Sequence, residues 1–229
     1  MALTDNIVAY YKFEWNANDS ASTNNWTSNN ITFSSGNGKI LQGGGFNGTS
    51  SNITVPTSAW LEITWTWISF SFWIYPTANL TNNGVLFKGA SSSQWNYSCW
   101  FFYGSAMRML FRLNGSISEW SWQATSSSNV SQNVWTHVAC TYNGSTQKIY
   151  FNWTEVWSQS YSSSISSDTN SLILWYYYWQ AYDFQWNIDE VGIWNRWLTS
   201  SEVTELYNWW AWISYPFTPS VNSNFFLFF

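Results

Sequence analysis

The chain has 229 residues, 8% of them charged, with 7 Lys+Arg against 12 Asp+Glu and a net charge of −5. That length holds one large all-β domain or two small ones and excludes a peptide or a staple-dependent miniprotein. There is no basic field to neutralise phosphates, so nucleic acid is not an expected partner; with charge far below the usual ~25%, Ser, Thr and Asn must solvate the surface.

In chain order, the first residues carry the acidic Asp5 and run straight into a strand-like segment at 7–13. No basic n-region or apolar h-region precedes it, so no signal peptide is visible. Further short segments rich in β-branched and aromatic residues follow at 53–55, 68–75, 85–88, 97–103, 107–113, 135–142, 148–151, 172–174 and 188–194, separated by Ser/Asn/Gly clusters. This spacing is the signature of an all-β sandwich. Asn-Gly pairs at 47–48, 114–115 and 143–144 predict tight hairpins. Near the end, Thr199-Ser-Ser-Glu202 is a capping box followed by Val203, Leu206 and Tyr207 at helical spacing, which predicts one helix over an edge or end of the sandwich. Residues 209–229 read as a tail, truncated or extended, and their Phe-rich end is far too short to span a membrane. Cys99 and Cys140 lie far apart in strand-like segments, which predicts buried free thiols rather than a disulfide and leaves the redox compartment open.

Tryptophan is abundant: 21 Trp against 12 Gly, about 9% and 5%, in a fold class where glycine alone is usually ~7% and serves the turns.

Five stretches together resemble the concanavalin A-like, laminin G-like jelly-roll domains of secreted lectins, carbohydrate-binding modules and phage or surface proteins. They are Tyr11-Lys-Phe-Glu-Trp-Asn-Ala-Asn-Asp-Ser20, Gly45-Phe-Asn-Gly48, Ile68-Ser-Phe-Ser-Phe-Trp-Ile-Tyr-Pro76, Asn133-Val-Trp-Thr-His-Val-Ala139 with Thr141-Tyr-Asn-Gly144, and Asn187-Ile-Asp-Glu-Val-Gly-Ile-Trp-Asn-Arg196 followed by Leu198. The resemblance implies one antiparallel β-sandwich of jelly-roll type over 5–208, with a short C-terminal helix. It also implies a non-catalytic module that binds carbohydrate at a cell or particle surface, extracellular or virion-associated. The alternative it allows is a structural or adhesive module that engages a surface protein and carries no sugar site. Weak binding by one copy would be raised by repetition on a multivalent assembly.

Where the chain departs from the family, tryptophan stands in for glycine. Trp15, Trp153, Trp157 and Trp186 occupy usual glycine positions, and Trp26, Trp65, Trp175, Trp209, Trp210 and Trp212 look similar, whereas Trp73, Trp135 and Trp194 sit where an aromatic belongs. At Asn152-Trp153 a two-residue type I′ turn is expected, with φ > 0 at both positions, which glycine accepts and tryptophan resists. We therefore expect the source organism to read UGA as glycine. The rival reading is a surface enriched in sugar-stacking indoles.

The resemblance also implies a calcium corner from Asp19, Asn24 and Asp189, calcium being a hard cation that takes oxygen ligands. The plainer reading has Asp19 capping a turn and Asp189 anchoring a loop. Asp189 and Glu190 are adjacent, so strand alternation sends them to opposite faces unless a bulge intervenes, and a glycosidase acid/nucleophile pair is not supported. Glu155, Asp168 and Asp183 have no motif around them, and no enzyme is expected. His137, the only histidine, is expected to be structural and hydrogen-bonded. Tyr176, Tyr177, Tyr178 and Tyr182 form, with Trp175 and Trp179, the densest aromatic stretch outside a core pattern and are the candidate ligand-binding residues; a loop packed on its own rings is the alternative. Tyr97, Tyr103, Arg108 and Arg112 could join a site on a concave face.

Overall fold

The computed structural model describes residues 1–48, 50–64, 66–78, 84–89, 94–101, 107–116, 124–176, 185–207 and 214–217. In chain order the strands are β1 (Ile7–Tyr11), β2 (Thr27–Asn29), β3 (Ile31–Ser34), β4 (Gly43–Phe46), β5 (Asn52–Val55), β6 (Ile68–Pro76), β7 (Gly84–Lys88), β8 (Gln94–Phe101), β9 (Arg108–Ser116), β10 (Ala124–Asn129), β11 (Thr136–Tyr142), β12 (Thr146–Phe151), β13 (Thr154–Ser160), β14 (Leu172–Tyr176) and β15 (Trp186–Trp194), before helix α1 (Ser200–Tyr207). They form two antiparallel sheets, one ordered β13-β12-β11-β6-β15-β4-β3 with β1 also on β15, the other β10-β9-β8-β7-β14-β5-β2.

Alternation along β6 shows how the layers arise. Ile68, Phe70, Phe72 and Ile74 enter the core between the sheets, where Phe70 meets Phe111 edge-on at 5.8 Å and Tyr97 at 5.4 Å. Ser69, Ser71 and Trp73 face the other way and are nonetheless buried. A second, smaller core explains why. Outward-facing Tyr10, Ala139, Tyr150 and Trp194 pack against Leu198, Val203 and Leu206 around α1. The helix therefore lies across the outer face of the first sheet, not at an edge or end, because that face carries its own apolar stripe. Its start is the expected capping box: Glu202 N–H donates to Thr199 Oγ1 at 3.2 Å and Thr199 N–H to Glu202 Oε2 at 2.8 Å. Glu202 also pairs with Arg196 at 2.8 Å, both side chains nearly buried. Within the expected tail, Tyr215 and Phe217 dock on Tyr10, at 5.6 and 5.1 Å between ring centroids.

Of the three Asn-Gly pairs only 143–144 closes the expected hairpin, between β11 and β12, whereas 47–48 carries the chain from β4 in the first sheet to β5 in the second. Gly48 and Gly144 have φ of +82° and +87°, open to glycine and strained for other residues. The third differs. Asn114 and Gly115 lie inside β9, where Gly115 pairs with Trp95, and the Asn114 side chain bonds Ser166 N–H at 2.7 Å and the Ser164 carbonyl at 2.6 Å. It holds a crossing loop instead of making a hairpin. Between β12 and β13, Asn152 and Trp153 both have φ of +50°, the expected type I′ turn.

Candidate functional site

Two strands and the entry to α1 leave a cleft on the outer face of the first sheet. The β11–β12 hairpin contributes Thr141, Asn143, Thr146, Lys148 and Tyr150, and the chain entering the helix contributes Trp197, Leu198, Thr199 and Ser200. The register sets Thr141 directly opposite Lys148 and Ala139 opposite Tyr150, so alternation brings these outward side chains under the helix start. The cleft holds about 290 Å³, near the lower end of the ~300–1,000 Å³ range of small-molecule sites. Hydroxyls, an amide, an ammonium group and the 44% exposed Trp197 indole line it. Lys148 is held at 2.7 Å by Glu155 on β13, and this hydrogen bond raises the Lys148 pKa and lowers that of Glu155. The ammonium thus stays charged and in place.

Farther across the same sheet, β15 changes partners. Residues Trp186–Ile188 pair with β4, whereas Val191–Trp194 pair with β1. The changeover is a bulge in the pairing with β6 between Asp189 and Gly192, with Glu190 at φ +51°. Asp189 fills the gap: Oδ2 accepts the backbone N–H groups of Lys39 and Ile40 at 2.8 Å each, and Oδ1 accepts that of Glu190 at 2.8 Å. Glu190 accepts the Tyr10 hydroxyl at 2.5 Å. Burial raises both carboxyls, Glu190 to about 8. Both acids are closed off from solvent, and neither lines the cleft.

Asp19 and Asn24 are hydrogen-bonded to each other, whereas Asp189 spends its oxygens on the Lys39, Ile40 and Glu190 backbone. Asp19 Oδ1 accepts Tyr10 N–H and Ala21 N–H at 2.9 Å each, and Oδ2 accepts Asn24 N–H at 3.1 Å and Asn24 Nδ2–H at 3.2 Å. Asn24 Oδ1 accepts the Ser58 hydroxyl at 2.6 Å. The oxygens that would face a cation already face N–H and O–H donors, so Asp19, Asn24 and Asp189 do not fit one shared calcium ion. Among the described residues no group of three or more His, Cys, Asp or Glu is arranged to hold a metal. His137 is buried and lies 2.7 Å from Ser71 Oγ through Nε2, and burial lowers its pKa to about 3, as suits a structural, neutral ring. Tyr97 is in the core, its hydroxyl donating to the Leu61 carbonyl at 2.9 Å. Arg108 and Arg112 alternate with core Met109, Phe111 and Leu113 and so face away from the first sheet. Tyr176 ends β14, its backbone opposite Gly84; Tyr103, Tyr177, Tyr178 and Tyr182 lie outside the described residues. The cleft itself was not foreseen, since its residues are scattered over 60 positions of sequence and only the hairpin and helix packing unite them.

The geometry is that of a jelly-roll sandwich of two antiparallel sheets. A family model of the concanavalin A-like lectin/glucanases superfamily matches residues 47–204, and the chain belongs to that family. No curated protein sequence matches it. Among solved structures it is similar to domain 4 of AbnA, a GH43 extracellular arabinanase from Geobacillus stearothermophilus, in complex with arabinotriose: TM-score 0.71 and 24% identity over 88% of this chain and 98% of that domain. It is also similar to the binding domain of Paraclostridial Mosquitocidal Protein 1, with TM-score 0.70 and 17% identity over 90% of this chain. A third is the binding domain of botulinum neurotoxin DC in complex with SialylT, with TM-score 0.65 and 16% identity over 90%. The chain spans about half the length of these two toxin domains, 52% of each. Among the described residues no helix is long and apolar enough to cross a membrane.

Proposed function

We propose that the protein is a non-catalytic carbohydrate-binding module of a cell or particle surface, holding sugar in the cleft between the β11–β12 hairpin and α1. The observation that carries this is the cleft's lining. Sugar hydroxyls both donate and accept, as do those of Thr141, Thr146, Thr199 and Ser200, while Lys148 adds a donor and Trp197 an apolar face for sugar C–H groups. No carboxylate lines the cleft among the described residues, so it has the makings of a binding site rather than a hydrolytic one. The arabinotriose complex of the AbnA domain supports a glycan ligand, and its parent enzyme's extracellular location supports the same for this chain. Binding by one copy would be weak and gain from repetition. Glycan-array binding, competed by the free sugar and lost in Trp197→Ala, is the expected result. Retention of a surface protein partner with no sugar bound would favour the adhesive alternative.

We also propose that UGA is read as glycine in the source organism. Trp15, at φ +93° and 77% exposed, and Trp153, at φ +50° and 47% exposed, support it: both need a backbone that glycine adopts freely, and neither side chain is used in the core. Trp186, Trp157 and Trp26 stand apart: Trp186 is buried between Phe46 and Phe101, and the other two are half-buried against the main core.

A further inference from the structure

Cys99 and Cys140 are the chain's two cysteines, both thiols are free, and neither is exposed. Cys99 lies on β8 between Leu86 of β7 and Phe111 of β9, in the second sheet. Cys140 lies on β11 between Phe70 of β6 and Ile149 of β12, in the first. Alternation turns both side chains into the space between the sheets, where the two Sγ atoms are 3.6 Å apart. Two small side chains filling a gap among Phe and Tyr rings need not touch each other. These do, and they face across the layers with only sulfur between them.

We infer that Cys99 and Cys140 form an inter-sheet disulfide when the chain folds under oxidising conditions. The bond needs the sulfurs to approach from 3.6 Å to about 2.05 Å, a shift shared between two χ1 rotations and a small approach of the sheets. The oxidant is a disulfide such as oxidised glutathione. One cysteine thiolate attacks it and releases a glutathione thiolate; the second attacks the mixed disulfide and releases another. The protein loses two hydrogens and two glutathione thiols form. Both steps need thiolate and access, which the finished sandwich denies, since burial and the neighbouring sulfur raise the Cys99 pKa well above its usual value. The bond therefore forms during folding or not at all, and the oxidation state of the folded protein records the compartment in which it folded.

The test is to unfold the reduced protein, refold it with a reduced/oxidised glutathione couple, and alkylate in denaturant before intact-mass measurement. The expected result is a mass lower by two hydrogens, no alkyl group taken up, and a Tm roughly 5–10 °C above that of protein refolded in reductant. Cys99→Ala should show the same Tm in both buffers. Fully reduced folded protein, placed in the same couple without denaturant, should keep both thiols for far longer than it takes to refold. Two alkylated thiols, or glutathione retained on one cysteine, after oxidative refolding overturns the inference. If refolding fails, the same mass readout on protein exported to a bacterial periplasm decides between the same outcomes.

Discussion

The Tyr10 hydroxyl, on the first strand, donates to the Glu190 carboxyl, on the last, at 2.5 Å. The pair lies under Tyr215 and Phe217, and burial holds the proton on Glu190 up to about pH 8, against an ordinary glutamate value of 4.5. Between those values the folded state binds more protons than the unfolded one, so the contribution of Glu190 is full below about pH 4.5 and is lost as pH rises towards 8. Chemical denaturation at pH 5, 6, 7 and 8 should show stability falling by up to about 1.4 kcal/mol per pH unit. Glu190→Gln should reduce that dependence and leave the part due to Asp189, whose carboxyl burial also raises.

The buried Arg196–Glu202 pair predicts an asymmetry at the helix start. Glu202→Ala strands a buried guanidinium and removes half the capping box, for a loss of about 3–5 kcal/mol. Thr199→Ala removes one cap and should cost about 1 kcal/mol. Urea unfolding of the two variants compares them directly.

Mass spectrometry of native peptides covering Trp15, Trp153 and Trp157 should read glycine where the codon is UGA. In protein made with tryptophan, Trp153→Gly should gain about 1 kcal/mol by relieving positive φ. Trp186→Gly should lose about 3–5 kcal/mol by opening a cavity. A peptide covering Trp197 shows whether the cleft carries its indole in the native protein.

Because the oxygens of Asp19 are filled by N–H donors, chelation should leave Tm and glycan binding unchanged. Asp19→Ala should cost about 3 kcal/mol, since it leaves several buried backbone N–H groups without acceptors. A Tm that rises on adding calcium would count against this account of the corner.

The central strands were legible because β6, β11 and β15 are long, apolar and written with inward alternation. The edges were less so. β2 and β10 are Thr-Ser-Asn and Ala-Thr-Ser-Ser-Ser-Asn, polar enough to pass for loop, and β4 begins with three glycines; β13 was legible over 154–156 from the turn before it, whereas its polar end to Ser160 was not. Asn114-Gly115 reads as a hairpin from local preference, yet cross-strand pairing overrides it. Whether alternation holds at Asp189 and Glu190 was open in the sequence, because the bulge that breaks it comes where β15 leaves β4 after Ile188 and meets β1 from Val191, which one strand's sequence does not display. Proximity of Cys99 and Cys140, and of Thr141 to Ser200, comes from packing between layers and leaves no trace in spacing.

The pairing of β1 with β15 also decides how the domain meets mechanical load. Ile7 opens β1 opposite Trp194 at the close of β15, and Asn195 N–H continues the pairing to the Asn6 carbonyl at 2.9 Å. A pull that enters before Ile7 and leaves beyond Trp194 therefore draws the two strands apart sideways from one end. Each hydrogen bond meets the force alone and in turn, instead of all sharing it as in a shearing pair. Once α1 has been lifted, the sandwich should yield to tension by unzipping at low force.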